Sequence, residues 1–501
     1  MIMRNFKYIT VSIVLTIAVL LPGCKKFLDE ELQGQRADFQ FFETAQDAEL
    51  YLTGIYNVLS FSDADNRIWV FGDIASDDAA KGGIPGDQAD IGRIDDFDMT
   101  TDNGNLETVW DIYYEGVSRA NKLLDNIEQI DMDSERKSEI TGEAKFLRAY
   151  YYYWLSSIFG DIPVHTTTPT PEETQKPASP VEDIRANIII PDLQDAVNRL
   201  PETFTGSDLG RPTKYAALAL LGKMYLFQKQ WKDAEDAFRQ IVDPGLFNLV
   251  LLYRNNFEVT TRNNEETIFA VQHLEGQNPW LGNRLNQWFA PRGDNGYGFN
   301  VPTQSFVDEF EITPDSVFDP RLDYTVGREG QTWFNDTVMF DPEWSPTGYM
   351  QKKYLQPLSE VPKELKADGE LNYVFIRYAD VLLMLAEAIN EQGNGGALQY
   401  VNMVRKRSRE SYLYDENLPG YGNIPVGLLP DVTAGGQNEI RKAIRHERRV
   451  ELGFEFHRYF DVIRYGPDYA YEALEDKENF NYEENKYFPI PQSELDTNHE
   501  L

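Results

Sequence analysis

Apolar residues recur at i, i+3 and i+4 spacing through most of the first half of the chain, which predicts helices at roughly 43–60, 105–130, 134–159, 181–199, 213–229 and 231–242. Between about 245 and 372 that period fades. Pro, Gly, Asn and aromatic residues rise there, and short β-prone stretches such as Thr267–Gln272 and Thr337–Phe340 appear. Helical spacing returns at 374–411 and 437–465. A smaller loop-like insertion, 62–105, is rich in Asp and Gly and carries Trp69. The expected fold is mostly α: one domain over 39–501, with a helical scaffold at about 39–244 and 373–501 and variable insertions at about 62–105 and 245–372.

Two stretches resemble tetratricopeptide helix pairs. In TKYAALALLGKMYLFQKQWKDAEDAFRQIV, Leu221, Gly222, Tyr225, Trp231, Ala234 and Phe238 fall near that pattern, and Gly222 lets the two helices approach closely. In RYADVLLMLAEAINEQGNGGALQYVNMVRKRS, Ala386, Ala388 and Ala397 take the small-residue positions and Gly393 to Gly396 make the turn. Units this far apart predict a helix-pair scaffold interrupted by insertions.

The N-terminus has a different pattern. Arg4 and Lys7 precede an apolar run from Ile9 to Leu21, too short to cross a bilayer as a helix and typical of a secretory signal. It ends in Leu21-Pro22-Gly23-Cys24, which resembles a bacterial lipobox, so residues 1–23 are expected to be a signal peptide, Cys24 the lipidated first residue of the mature chain, and 24–38 a tether. Cys24 is the one cysteine, so no disulfide stabilises the fold and burial must do so. A hydrophobic content of 42% with 13% aromatics suits a globular core. The net charge of −35 argues against nucleic acid, an anionic membrane surface and polyanionic ligands such as alginate or pectin.

Several stretches then resemble, in order and spacing, the SusD family, also called RagB, of Bacteroidetes surface glycan-binding lipoproteins. They are CKKFLDEEL, WDIYYEGVSRANKLLDNI, GEAKFLRAYYYYWLSSIFGDIPV, GRPTKYAALALLGKMYLFQKQWKDAEDAF, RYADVLLMLAEAIN, ERRVELGFEFHRYFDVIRYG and YFPIPQSEL. In two places the chain departs from the family pattern. Phe456 stands where the family usually has glycine, and no Asn-Pro-rich tail follows the PIP word, so a shortened or truncated C-terminus is expected. The resemblance implies a tetratricopeptide-like scaffold docked as a lid on a SusC-like TonB-dependent outer-membrane transporter. It also implies a lipid anchor in the outer membrane, facing the cell exterior. The implied function is non-catalytic capture of oligosaccharides, from a neutral polysaccharide on charge grounds, with a β-glucan such as laminarin as first choice. The alternative is oligopeptide capture, as on the RagB side of the family.

A pyranose stacks its C–H face on a flat ring while its hydroxyls bond polar groups around the rim. Of eight tryptophans, Trp110, Trp154 and Trp231 lie on amphipathic helices and are read as core. Trp280, Trp288, Trp333 and Trp344 lie in the loop-rich middle and are the ligand candidates, with Tyr297 as a further platform and Asn283, Arg284, Asp294 and Asn295 as hydroxyl partners. Trp69, with Arg67, is a further candidate on the first insertion. Enzyme signatures are missing: five histidines show no HExxH or zinc spacing, no GxSxG elbow occurs, and SDDAAKGGIPGD has no P-loop lysine, so no catalytic residue, metal or cofactor is expected. The proline-rich stretch around Lys176 to Pro180 reads as a rigid connector. Glu447, Glu451 and Glu455 beside Arg445, Arg448, Arg449 and Arg458 read as a salt-bridged helix face, and His457 as a structural hydrogen-bond donor within the same stretch.

Overall fold

The apolar faces of the predicted helices must be buried, and the structure buries them against chain neighbours. The computed structural model describes residues 42–60, 65–278, 280–334, 338–433 and 435–501; Cys24, the signal and the tether lie outside the described residues. Helix α1 (Ala45–Leu59) begins at Thr44, which caps it reciprocally with Asp47. Asn103 and Asp133 cap α2 (Gly104–Asn126) and α3 (Ser134–Phe159). These three pack on one another. In α3 the run Tyr150, Tyr151, Tyr152, Tyr153, Trp154 is buried on every side, which places this helix in the middle of the molecule. Trp110 and Trp154 are core as expected, and Trp231 packs half-buried against the same core.

The pairing continues through α4 (Ile190–Arg199), α5 (Lys214–Phe227) and α6 (Trp231–Val242). A Cβ on Gly222 of α5 would sit 2.5 Å from the Phe238 ring of α6, so only glycine permits this approach. Helix α6 then packs on α7 (Tyr378–Glu391), and α7 on α8 (Ala397–Tyr414). The two tetratricopeptide-like units are therefore neighbours in space, although 245–372 separates them in sequence.

Three expectations change. Residues 374–377 are not helical: β4 (Tyr373–Arg377) pairs antiparallel with β2 (Thr267–Val271), matching Thr267 to Arg377 and Val271 to Tyr373. This ladder closes the base of the large insertion. The predicted 437–465 helix is two, α9 (Gln437–Leu452) and α10 (Arg458–Arg464), broken where Phe454 and Phe456 take φ of +63° and +67°. The first insertion is more ordered than a loop. It holds helical turns at Asp65–Trp69, Val70–Ile74 and Ala89–Asp95, and its strand β1 (Ala79–Gly82) pairs antiparallel with β3 (Phe299–Pro302) of the large insertion. The two variable segments are thus hydrogen-bonded to each other.

The glutamates around α9 are salt-bridged, but to other elements and in the core. Arg321 Nη1 lies 2.6 Å from Glu447 and 2.9 Å from Glu451; Arg377 lies 2.6 Å from Glu451 and 2.7 Å from Glu455. Arg405, Arg407 and Lys353 complete the cluster. The nearby arginines turn elsewhere, Arg448 to Asp380 and Asp461, Arg449 and Arg458 to Asp77 and Asp78. His457 does not donate within its own stretch. Burial and the Lys223 ammonium push its imidazole down to about 3, so the neutral ring accepts from Lys223 of α5, with Nδ1 3.3 Å from Nζ.

Candidate functional site

The β1–β3 ladder decides the fate of the loop aromatics. Pairing Ala80 with Val301 folds the first insertion over the second and encloses Trp69, fully buried, against Trp288, with ring centroids 5.9 Å apart. Phe289 and Phe299 close the cluster. Trp288, 4% exposed, and Trp69 are therefore core and offer no stacking face, which corrects their reading as platforms. The guanidinium of Arg67 caps the Trp288 ring at 4.7 Å and that of Arg284 approaches it at 5.7 Å.

Tyr297 leans on Trp288 at 5.2 Å but stays half-buried, with the Arg292 guanidinium 5.7 Å from its ring. Arg292 also pairs with Asp87, tying the two insertions together at the surface. Trp280 differs from the other loop indoles: it is 64% exposed. It sits beside a bridge in which the Leu274 N–H donates to the Leu281 carbonyl at 3.2 Å, so the segment carrying it is anchored at its base.

The expected polar partners divide. The Asn283 amide is buried and already used, donating to the Leu371 carbonyl at 2.7 Å and accepting from the Leu285 N–H at 2.7 Å. It positions the loop and its burial closes it to a ligand, a second correction. Arg284 is half-buried, and Asn295 is exposed with its Nδ2 donating to the Lys363 carbonyl at 2.9 Å. Asp294 lies 3.4 Å from Lys363 Nζ. Trp333 is 6% exposed and braced by Trp344 at 5.8 Å and Phe340 at 5.8 Å, so it too is core, while Trp344 is half-buried.

The exposed Trp280 indole offers a face for stacking, and elsewhere in the same insertion the half-buried Tyr297 phenol and the Arg284, Asn295 and Asp294 side chains retain partial exposure. Among the described residues no group of three or more His, Cys, Asp or Glu side chains is placed to hold a metal ion. Known proteins agree with this architecture. A family model described as "Starch-binding associating with outer membrane" matches residues 26–226, and the SusD family model matches 265–501. The chain belongs to the SusD family. SusD-like protein P2 of Formosa agariphila is 28% identical over 100% of this chain and 99% of its own length. A SusD-like carbohydrate-binding protein from Bacteroides fragilis superposes with a TM-score of 0.77 at 25% identity, covering 92% of this chain and 100% of that one. A laminarin-binding SusD-like protein superposes with a TM-score of 0.75 at 26% identity, covering 91% and 98%.

In this SusD-family chain, sequence reasoning missed Phe334, Tyr324 and Phe257, which line a cavity of about 350 Å³ with Leu355, Asp415 and Asn417. Trp333 and Trp344 sit behind it, around a smaller pocket that shares Phe334, Leu355, Gln356 and Pro357. No local pattern announces these residues, because the cavity is assembled from five separated stretches.

Proposed function

We propose that this chain is a non-catalytic glycan-binding protein, anchored in the outer membrane by lipid on Cys24, that captures a neutral oligosaccharide and passes it to a SusC-like TonB-dependent transporter. The observation that carries this reading is the exposed Trp280 indole, in the same insertion as the partly exposed Tyr297, Arg284, Arg292 and Asn295. Leaving most of an indole in water forfeits apolar burial worth up to about 2–3 kcal/mol, which a ligand's C–H face recovers. The charge of −35 favours an uncharged polymer. Membership of the SusD family and likeness to a laminarin-binding structure support a β-glucan as first choice.

Affinity electrophoresis tests it. Laminarin is expected to retard the wild-type chain more than starch and far more than alginate, and Trp280→Ala is expected to lose about tenfold in affinity. A wild-type chain that ignores every glycan overturns the reading. Peptides identified by mass spectrometry in the purified transporter complex would then favour peptide capture.

A further inference from the structure

We propose that the cleft lined by Phe334 is a second sugar site that takes an uncharged one- or two-unit end of a glycan; this rests on the glycan reading above. The space is about 350 Å³, inside the range of about 300–1,000 Å³ that small-molecule sites occupy. Its walls come from the large insertion and from the segment after α8: residues among Arg254 to Glu258, Asp323 and Tyr324, Gln331 to Phe334, Lys352 to Glu360, and Asp415 to Pro419. Rings supply the stacking faces. Phe334 is held there at a cost, with φ of +55°, a left-handed conformation worth about 1–2 kcal/mol of strain for a side chain of this kind. Trp333, edge-on at 4.7 Å, backs it, and the Lys352 ammonium lies 5.6 Å from its ring. A bulky ring kept in that conformation beside an open volume is placed there by the surrounding packing.

The polar groups are pre-set as hydroxyl partners. Asp415 accepts from the Tyr324 hydroxyl at 2.6 Å and from the Asn417 amide at 2.9 Å, which fixes its carboxylate at the wall. The buried Arg254 Nε makes no hydrogen bond among the described residues. It pairs at 3.6 Å with Glu258 and 3.9 Å with Asp415, too long for a bond, so a donor is left for a ligand oxygen. Glu258, Asp323, Glu360 and Asp415 face Arg254 and Lys352, four carboxylates against two cations, which repels uronic or sulfated sugars. Burial, with Glu360 and Asp415 close by, lifts the Glu258 carboxyl above its usual range despite Arg254, and an anion would lift it further.

Calorimetry on the full chain with laminaribiose tests the site separately from the Trp280 surface. Wild type and Trp280→Ala are expected to bind the disaccharide equally. Phe334→Ala, which removes a wall, and Gln331→Trp, which fills the space, are each expected to weaken it about tenfold. Several outcomes overturn the proposal: unchanged binding in Gln331→Trp and Phe334→Ala, loss of binding in Trp280→Ala, or equal binding of glucuronic acid. Laminarin retardation without any laminaribiose binding removes this site and leaves the surface reading intact. Absence of all glycan binding removes both.

Discussion

Phe456 shows what one residue contributes when it sits where glycine is the easier choice. Its φ of +67° carries strain of about 1–2 kcal/mol, yet its ring is fully buried against Tyr373 at 5.1 Å and Tyr354 at 5.4 Å. Its N–H donates to Asp73 Oδ1 at 3.1 Å, a contact glycine would keep. Phe456→Gly relieves the strain and forfeits ring packing worth about 3–5 kcal/mol, so a net loss of about 2 kcal/mol is expected in urea unfolding. A gain in stability would show that the ring fills no essential volume. The same scale explains what the loop tryptophans left illegible. Trp280 and Trp288 are both flanked by polar and turn-forming residues, and nothing local says that one is open and the other shut. Burial of Trp69 and Trp288 follows from a strand pairing across more than two hundred residues, which periodicity does not report.

At the scale of elements, helices with apolar residues at helical spacing were readable: Ala45–Leu59, Ser134–Phe159 and the Gly222–Phe238 pair all stand where spacing placed them. The strand Tyr373–Arg377 was not, because it runs without a break into the apolar face of α7, and a continuous apolar run carries neither period. Nor did the helical acids announce partners from three other elements. Glu451 joins α9 to Arg321 of the large insertion, Arg377 of β4 and Arg407 of α8. Burial opposes its charge, but Arg407, Arg377 and Arg321 hold its carboxyl well below the usual range. Glu451→Gln leaves these guanidiniums short of a counter-charge in the core. A loss of about 3–5 kcal/mol is expected, read as a lower denaturation midpoint. An unchanged midpoint would mean that the cluster redistributes its pairs without loss.

For the molecule as a whole, charge pairing between the large insertion and α9 sets a pH response. His446 lies between Glu309 at 2.6 Å and Glu311 at 3.2 Å. Burial works against its charge, but these hydrogen bonds outweigh it and raise the imidazole to about 9 from its ordinary 6.5. A raised value means that the folded state binds the proton more tightly. The stabilisation is full between about pH 5 and 6.5 and is lost as pH climbs through about 9. It falls again in acid as Glu309 and Glu311, held below their ordinary value of 4.5, take up protons. The stability difference between wild type and His446→Gln is therefore expected to be greatest between about pH 5 and 6.5 and to shrink from there to about pH 9 in unfolding measured over a pH series. A difference independent of pH would exclude ionic pairing as its source. The β1–β3 ladder has a consequence for anyone redesigning what this protein holds. Replacing 245–372 with a donor loop would strip β1 of its partner and uncover Trp69. Specificity is inherited as a matched pair of segments, so a graft must carry both strands together to be viable.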